Sequence, residues 1–143
     1  MKTNIILRFA AAAVLCVGSA AAFAQVAVVV NPKSSLATMT ADQVSGIFLG
    51  KSNTLPSGAT AAPTDLPESA ATRELFYTKV TGKSTAQVKA AWSRLVFSGK
   101  GTPPKELGSA AEVKKFVAGN PDAIGYIEKS AVDGSVKVVL TVD

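Results

Sequence analysis

The 143-residue chain has no histidine and only one cysteine, Cys16, and these two shortages remove most of the chemistry a protein of this size would carry. Without histidine the commonest general base and metal ligand is missing. A lone cysteine can form neither an internal disulfide nor a thiolate zinc site. No Ser-His-Asp set exists, and Walker and dinucleotide fingerprints are absent. Gly99-Lys100-Gly101 lies in a loop with no helix cap after it. Long apolar runs are lacking too: Phe9–Val17 falls well short of the roughly 20 residues that a spanning helix needs, and no later segment comes closer. Aromatic residues are 6% of the chain and the net charge is +5, without a basic stripe interleaved with aromatics, so no nucleic-acid partner is expected. The expectation is a protein that is not an enzyme and holds no cofactor and no metal.

What the chain does have begins with a leader. Lys2 and Arg8 precede the Phe9–Val17 run, and small residues end at Ala22-Phe23-Ala24, which reads as a secretory signal peptide over residues 1–24. The exported chain then starts at Gln25. Lipid attachment at Cys16 is the competing reading, opposed by the bulky Leu15 where such signals want a small residue. Removal of the leader takes Cys16, Lys2 and Arg8 with it, leaving a net charge of about +3. Residues 25–143 suit one domain, held by apolar burial alone.

Val26-Ala27-Val28-Val29-Val30 is an apolar, mostly β-branched run, suited to a strand buried on both faces as in a parallel sheet covered by helices. Thr40-Ala41-Asp42-Gln43 is a capping box that opens a short helix with Val44, Ile47 and Phe48 on one face and Gly50 as its stop. A surface loop over 51–58 leads to a weak strand signal at Ala59–Thr64. A helix is then expected from Asp65–Pro67 to Thr81-Gly82, with Asp65 as N-cap, Glu68 as its N3 partner, and Leu75, Phe76 and Val80 inward. Further boxes at Ser84–Gln87 and Ser109–Glu112 open two more helices. The first carries Val88, Ala91, Trp92, Leu95 and Val96 at core spacing, and the second Val113, Phe116 and Val117. Strands at Ala123–Ile127 and Val136–Val142, joined through an Asp133-Gly134 turn, complete an α/β layer fold with a mixed sheet flanked by helices. Tyr126 and Trp92 read as core, and Lys100, Lys105, Lys114 and Lys115 as solvated faces.

With catalytic groups absent, the remaining candidate chemistry is capture of an anion at a helix start, where first-turn amides carry partial positive charge and neighbouring hydroxyls can complete a cage. Ser69, Thr72 and Arg73 are the candidate ligands, Arg73 because a guanidinium can pair with an oxyanion in two-pronged fashion.

The same stretch, Glu68 to Phe76 ending Thr72-Arg73-Glu74-Leu75-Phe76, resembles the motif of phosphate-binding proteins of ABC transporters, in which Ser-Gly-Thr opens a helix and Phe follows a few residues later. In this chain Ala70 and Ala71 stand where that family has Ser and Gly. Ile47-Phe48-Leu49-Gly50 is similar to the family's Ile-Phe-x-Gly helix end. Trp92, the Gly99 turn, the Val113–Val117 helix and Pro121-Asp122-Ala123-Ile124-Gly125-Tyr126-Ile127 follow in the family's order. The resemblance implies a single-lobe, type 2 periplasmic binding protein-like domain that binds phosphate or a similar small oxyanion in the periplasm. It implies partnership with an ABC transporter permease; because family members clamp their ligand between two lobes, a single lobe would bind weakly, pair as a homodimer that completes the cleft, or have lost ligand capture. The alternative implied by the same fold is a ligand-free structural or interaction module that contacts an envelope protein.

Overall fold

Val26–Val30 (β1), apolar at every position, is buried along its whole length because it lies inside a five-stranded sheet with neighbours on both sides. The computed structural model describes residues 25–143; the expected signal peptide, Cys16 included, lies outside the described residues. The other strands are Ala62–Asp65 (β2), Lys105–Glu106 (β3), Ala123–Glu128 (β4) and Lys137–Val142 (β5), in the order β3-β2-β4-β1-β5. Strand β1 runs antiparallel to both β4 and β5, whereas β2 runs parallel to β3 and β4. The sheet is therefore mixed, as expected, but the parallel setting expected for β1 is not observed. A continuous apolar run reports that both faces are covered and carries no information on strand direction.

Among the described residues four α-helices cover the sheet: Ala41–Phe48 (α1), Ala71–Phe76 (α2), Thr85–Phe97 (α3) and Ala110–Gly119 (α4). Two of the three anticipated capping boxes close in both directions. At α1 the Gln43 amide donates to Thr40 Oγ1 and the Thr40 amide to Gln43 Oε1, and Ser84 and Gln87 repeat the exchange at α3. At α4 only half forms, because Ser109 Oγ accepts from the Glu112 amide while the Glu112 carboxylate turns to the Gly108 amide instead. Gly50 ends α1 with φ +75°, and a Cβ there would stand 2.6 Å from Leu95 Cδ1 and 2.9 Å from Trp92 Cη2. Glycine thus serves both the left-handed turn and the close approach of α3. The Trp92 indole crosses that contact and donates to the Phe48 carbonyl at 2.8 Å, which satisfies its polar edge inside the core.

The core joins β1 and β4 to the inner faces of the helices, with Phe48, Phe76, Tyr77 and Tyr126 at its centre. Phe76 and Tyr126 stack with centroids 4.0 Å apart, and Phe48 meets Phe76 edge-on at 4.7 Å. Helix α4 lies directly on β4 where Gly125 leaves room: a Cβ at 125 would stand 2.6 Å from Thr64 Oγ1 and 2.7 Å from Val113 Cγ1.

The chain between β2 and α2 departs from expectation. The strand covers Ala62–Asp65 rather than Ala59–Thr64, and the helix starts at Ala71, behind Ala70, which makes no side-chain cap bond. Asp65 is not an N-cap and Glu68 is not its N3 partner. Asp65 closes the strand with its carboxylate buried among tyrosine hydroxyls, and Glu68 pairs with Lys89 at 2.9 Å. Beyond Phe76 the helix widens into a π-helical turn, Tyr77–Thr81, and stops at Gly82 with φ +70°. Helix α3 also differs from its expected inward face, for Val96 is half exposed.

Candidate functional site

The β2–α2 connection separates two hollows, and a buried polar cluster stands between them. Asp65 Oδ2 accepts the Tyr77 hydroxyl at 2.7 Å, and Oδ1 accepts the Tyr126 hydroxyl and, at 3.1 Å, the Leu66 amide. Arg73 Nη2 lies 3.6 Å from Asp65 Oδ2. Burial pushes the Asp65 carboxyl above the ordinary carboxylate range, against the opposing pull of the Tyr126 and Tyr77 hydroxyls, the Arg73 charge and the Leu66 amide. Burial first, and then the neighbouring carboxylate, push both phenols well above their usual range. Their hydroxyls therefore remain protonated and donate. The cluster fixes the end of β2 against β4 and the start of α2.

On one side of this cluster is a hollow of about 320 Å³ lined by Leu66, Ser69, Thr72, Gly108, Ser109 and Glu128, among others. It sits beyond the carboxyl ends of β2 and β4, where open α/β sheets place ligands. The N-termini of α2 and α4 both reach it, through Ala70 and Ser109 to Ala110. Thr72 is buried, and its hydroxyl donates to Glu128 Oε1 at 3.1 Å; Ser69 is exposed at the rim. Donors and partial positive charge thus converge on a space that already contains one carboxylate.

Arg73 faces the other way. It is nine-tenths buried, donates from Nη1 to the Leu66 carbonyl at 2.8 Å, and lies 4.0 Å from Glu106 Oε2 and 5.8 Å from the Tyr77 ring centroid. Its Nε has no acceptor. It lines a second, more apolar hollow of about 440 Å³ with Asp65 and residues of α3.

Of the three residues named from sequence, the fold brings Ser69 and Thr72 to one hollow and puts Arg73 in the next. Tyr126 and Trp92 are core residues as expected. Sequence reasoning missed Glu128, Ser109, Tyr77 and the true setting of Asp65. The only signal for Glu128 was a charged residue directly after the apolar Ala123–Ile127 run. Nothing local pointed to Asp65 as a tyrosine-bound carboxylate, because its partners are 12 and 61 residues away. Among the described residues no cluster of three or more Asp and Glu is placed to hold a metal ion.

No protein-family model matches this chain, and no curated protein does. Solved structures do. A putative phosphate ABC transporter substrate-binding protein from Clostridium perfringens, with bound phosphate, superposes with a TM-score of 0.66 at 23% identity, over 81% of this chain and 45% of that one. An ABC-type phosphate transport receptor from Vibrio cholerae gives 0.64 at 23%, over 81% and 46%. PstS from Borrelia burgdorferi gives 0.60 at 14%, over 81% and 47%. The likeness is one of fold: a mixed α/β sheet flanked by helices, as in phosphate ABC transporter substrate-binding proteins. The chain spans less than half the length of each of these structures.

Proposed function

We propose that residues 25–143 form an exported solute-binding-type domain that captures phosphate or a similar small oxyanion in the periplasm for an ABC transporter. The observation that carries the proposal is the hollow in which the Ser69 and Thr72 side chains and the first turn of α4 face one another beyond the ends of β2 and β4. A tetrahedral oxyanion there would take hydrogen bonds from Ser69, Thr72 and first-turn amides, with no catalytic group needed. Arg73, in the neighbouring hollow, positions this site by holding the carbonyl of Leu66, which lines it. Export rests on the leader read over residues 1–24. Among the described residues no helix is long and apolar enough to cross a membrane.

One lobe offers half a cage, so tight capture draws on further chain or on a second copy of this one. Calorimetry of residues 25–143 with phosphate, and with sulfate as the comparison, tests the site. Phosphate heat that vanishes in Thr72→Ala is the expected result. Folded protein that gives no heat with either anion at millimolar concentration would sink it. Light scattering with and without phosphate reports whether two copies close on the ligand.

A second reading draws on one specific observation. The Glu128 carboxylate occupies the donor side of the hollow by accepting the Thr72 hydroxyl, and Ala70 provides neither a hydroxyl nor a cap. On that reading the domain keeps the binding fold as a ligand-free module that contacts an envelope protein. A stable envelope complex indifferent to phosphate would favour it.

A further inference from the structure

The hollow on the far side of the Asp65 cluster carries an independent assignment. Its floor is the Arg73–Asp65 pair and its walls are Val88, Trp92, Val96 and Phe97 of α3 with Pro103 and Pro104. At about 440 Å³ it falls within the range of small-molecule sites, which are mostly apolar with a few placed polar groups. Two features of it go unused by the fold. Phe97 is 95% exposed on its rim, an uncommon setting for a large aromatic side chain. Arg73, though nine-tenths buried, has a single hydrogen bond shorter than 3 Å, from Nη1 to the Leu66 carbonyl, and Nε has none. A buried guanidinium with donors to spare is costly unless an acceptor reaches it.

We propose that this hollow binds a small, uncharged amphipathic molecule, its aromatic or branched aliphatic body between Trp92, Phe97 and Pro103-Pro104, and its carbonyl or amide oxygen on the Arg73 guanidinium. Charge selects the head group. Asp65 at 3.6 Å and Glu106 at 4.0 Å already offset the Arg73 charge, and Lys89 at the rim is held by Glu68 at 2.9 Å. A carboxylate head would add a third negative charge around one guanidinium, whereas a neutral carbonyl supplies an acceptor to Nη2, which comes no closer than 3.6 Å to Asp65, without that repulsion. The assignment does not rest on the oxyanion site, which lies across the Asp65 cluster.

Trp92 is the only tryptophan of the chain and lines both this hollow and a neighbouring one beside Gly50 and Gly101, so its indole N–H resonance in a 15N-labelled sample reports binding at either, and Ser93, which lines this one and not the other, tells them apart. The probe is phenylacetamide, compared with phenylacetate and ethylbenzene, on residues 25–143. The expected result is a saturable shift of the Trp92 resonance with phenylacetamide in the millimolar range usual for a fragment, and binding of each comparison compound weaker by about fivefold or more. Ser93→Phe, which fills the hollow from the exposed side of α3, should abolish the shift while the amide spectrum stays that of a folded protein. No Trp92 shift up to about 20 mM would overturn the proposal. Equal shifts in Ser93→Phe would overturn the location, and tighter binding of phenylacetate would overturn the neutral head group. Phosphate should leave the Trp92 resonance unmoved, which separates this test from that of the oxyanion site.

Discussion

Thr72 Oγ1 donates to Glu128 Oε1 across 3.1 Å, tying the start of α2 to the end of β4 and setting a carboxylate inside the hollow that an oxyanion would enter. The contact makes Glu128 an internal competitor for the Thr72 hydroxyl and a like charge beside any bound anion. Glu128→Gln removes the charge and keeps an acceptor of similar shape. Phosphate affinity should rise severalfold, on the order of 1 kcal/mol for a unit charge at about 4 Å in a water-like dielectric, with the gain shrinking as salt is added. Calorimetry at two ionic strengths measures it. An unchanged affinity would place the anion elsewhere.

Gly125 is where α4 comes closest to the sheet. Because an added Cβ would meet Thr64 Oγ1 and Val113 Cγ1 well inside contact distance, Gly125→Ala should cost about 1–3 kcal/mol by overpacking. Gly134→Ala, where nothing lies within 4 Å of the added carbon, is the control and should change urea stability by less than about 0.5 kcal/mol. Comparable losses at both sites would contradict the close approach.

Asp65 and Tyr77 should show strong coupling. Tyr77→Phe removes a hydroxyl that donates to a buried carboxylate at 2.7 Å, a loss of about 1.5–3 kcal/mol. Asp65→Asn leaves Arg73 buried without its counter-charge and should cost about 3 kcal/mol or more. Because both changes cut the same bond, the double variant should be more stable than the summed single losses indicate. Additive losses in denaturant melts would mean that the bond contributes little.

The direction of the Asp65 shift sets a pH dependence opposite to that of a surface salt bridge. With the folded carboxyl above its unfolded value, the folded state binds the proton more tightly between the two. The stability of the native chain relative to Asp65→Asn should therefore rise as pH falls from 7 through the raised value toward about 4, where the unfolded carboxyl also protonates. Urea melts of both proteins across that interval test the sign. A relative loss on acidification would show that its donors, not burial, dominate the carboxyl.

Elements with local signatures were legible in the sequence. The Thr40 and Ser84 boxes give both hydroxyl and Gln side chain within four residues, and Gly50 and Gly82 mark left-handed stops, so α1, α3 and the end of the widened turn after α2 fall where the residues put them. The β2–α2 region is not legible in the sequence because Asp65-Leu66-Pro67-Glu68 has the spelling of a helix start. A strand-end carboxylate that binds two tyrosines uses the same residue type, and only those distant partners tell the two apart. Strand β3, two residues long, has no sequence signal that could exceed its loop context.

Residue order by itself determined the α/β class, the caps of α1 and α3 and the apolar positions of β1 and α4, because periodicity and capping act within a few residues of chain. The tertiary structure alone decided the direction of β1's neighbours, the sharing of Asp65 between Tyr77, Tyr126 and Arg73, and the separation of Thr72 and Arg73 into different hollows. Those depend on groups distant in sequence, as in the Thr72–Glu128 and Asp65–Tyr126 bonds, which span 56 and 61 residues, where packing and burial rather than local propensity choose the partner.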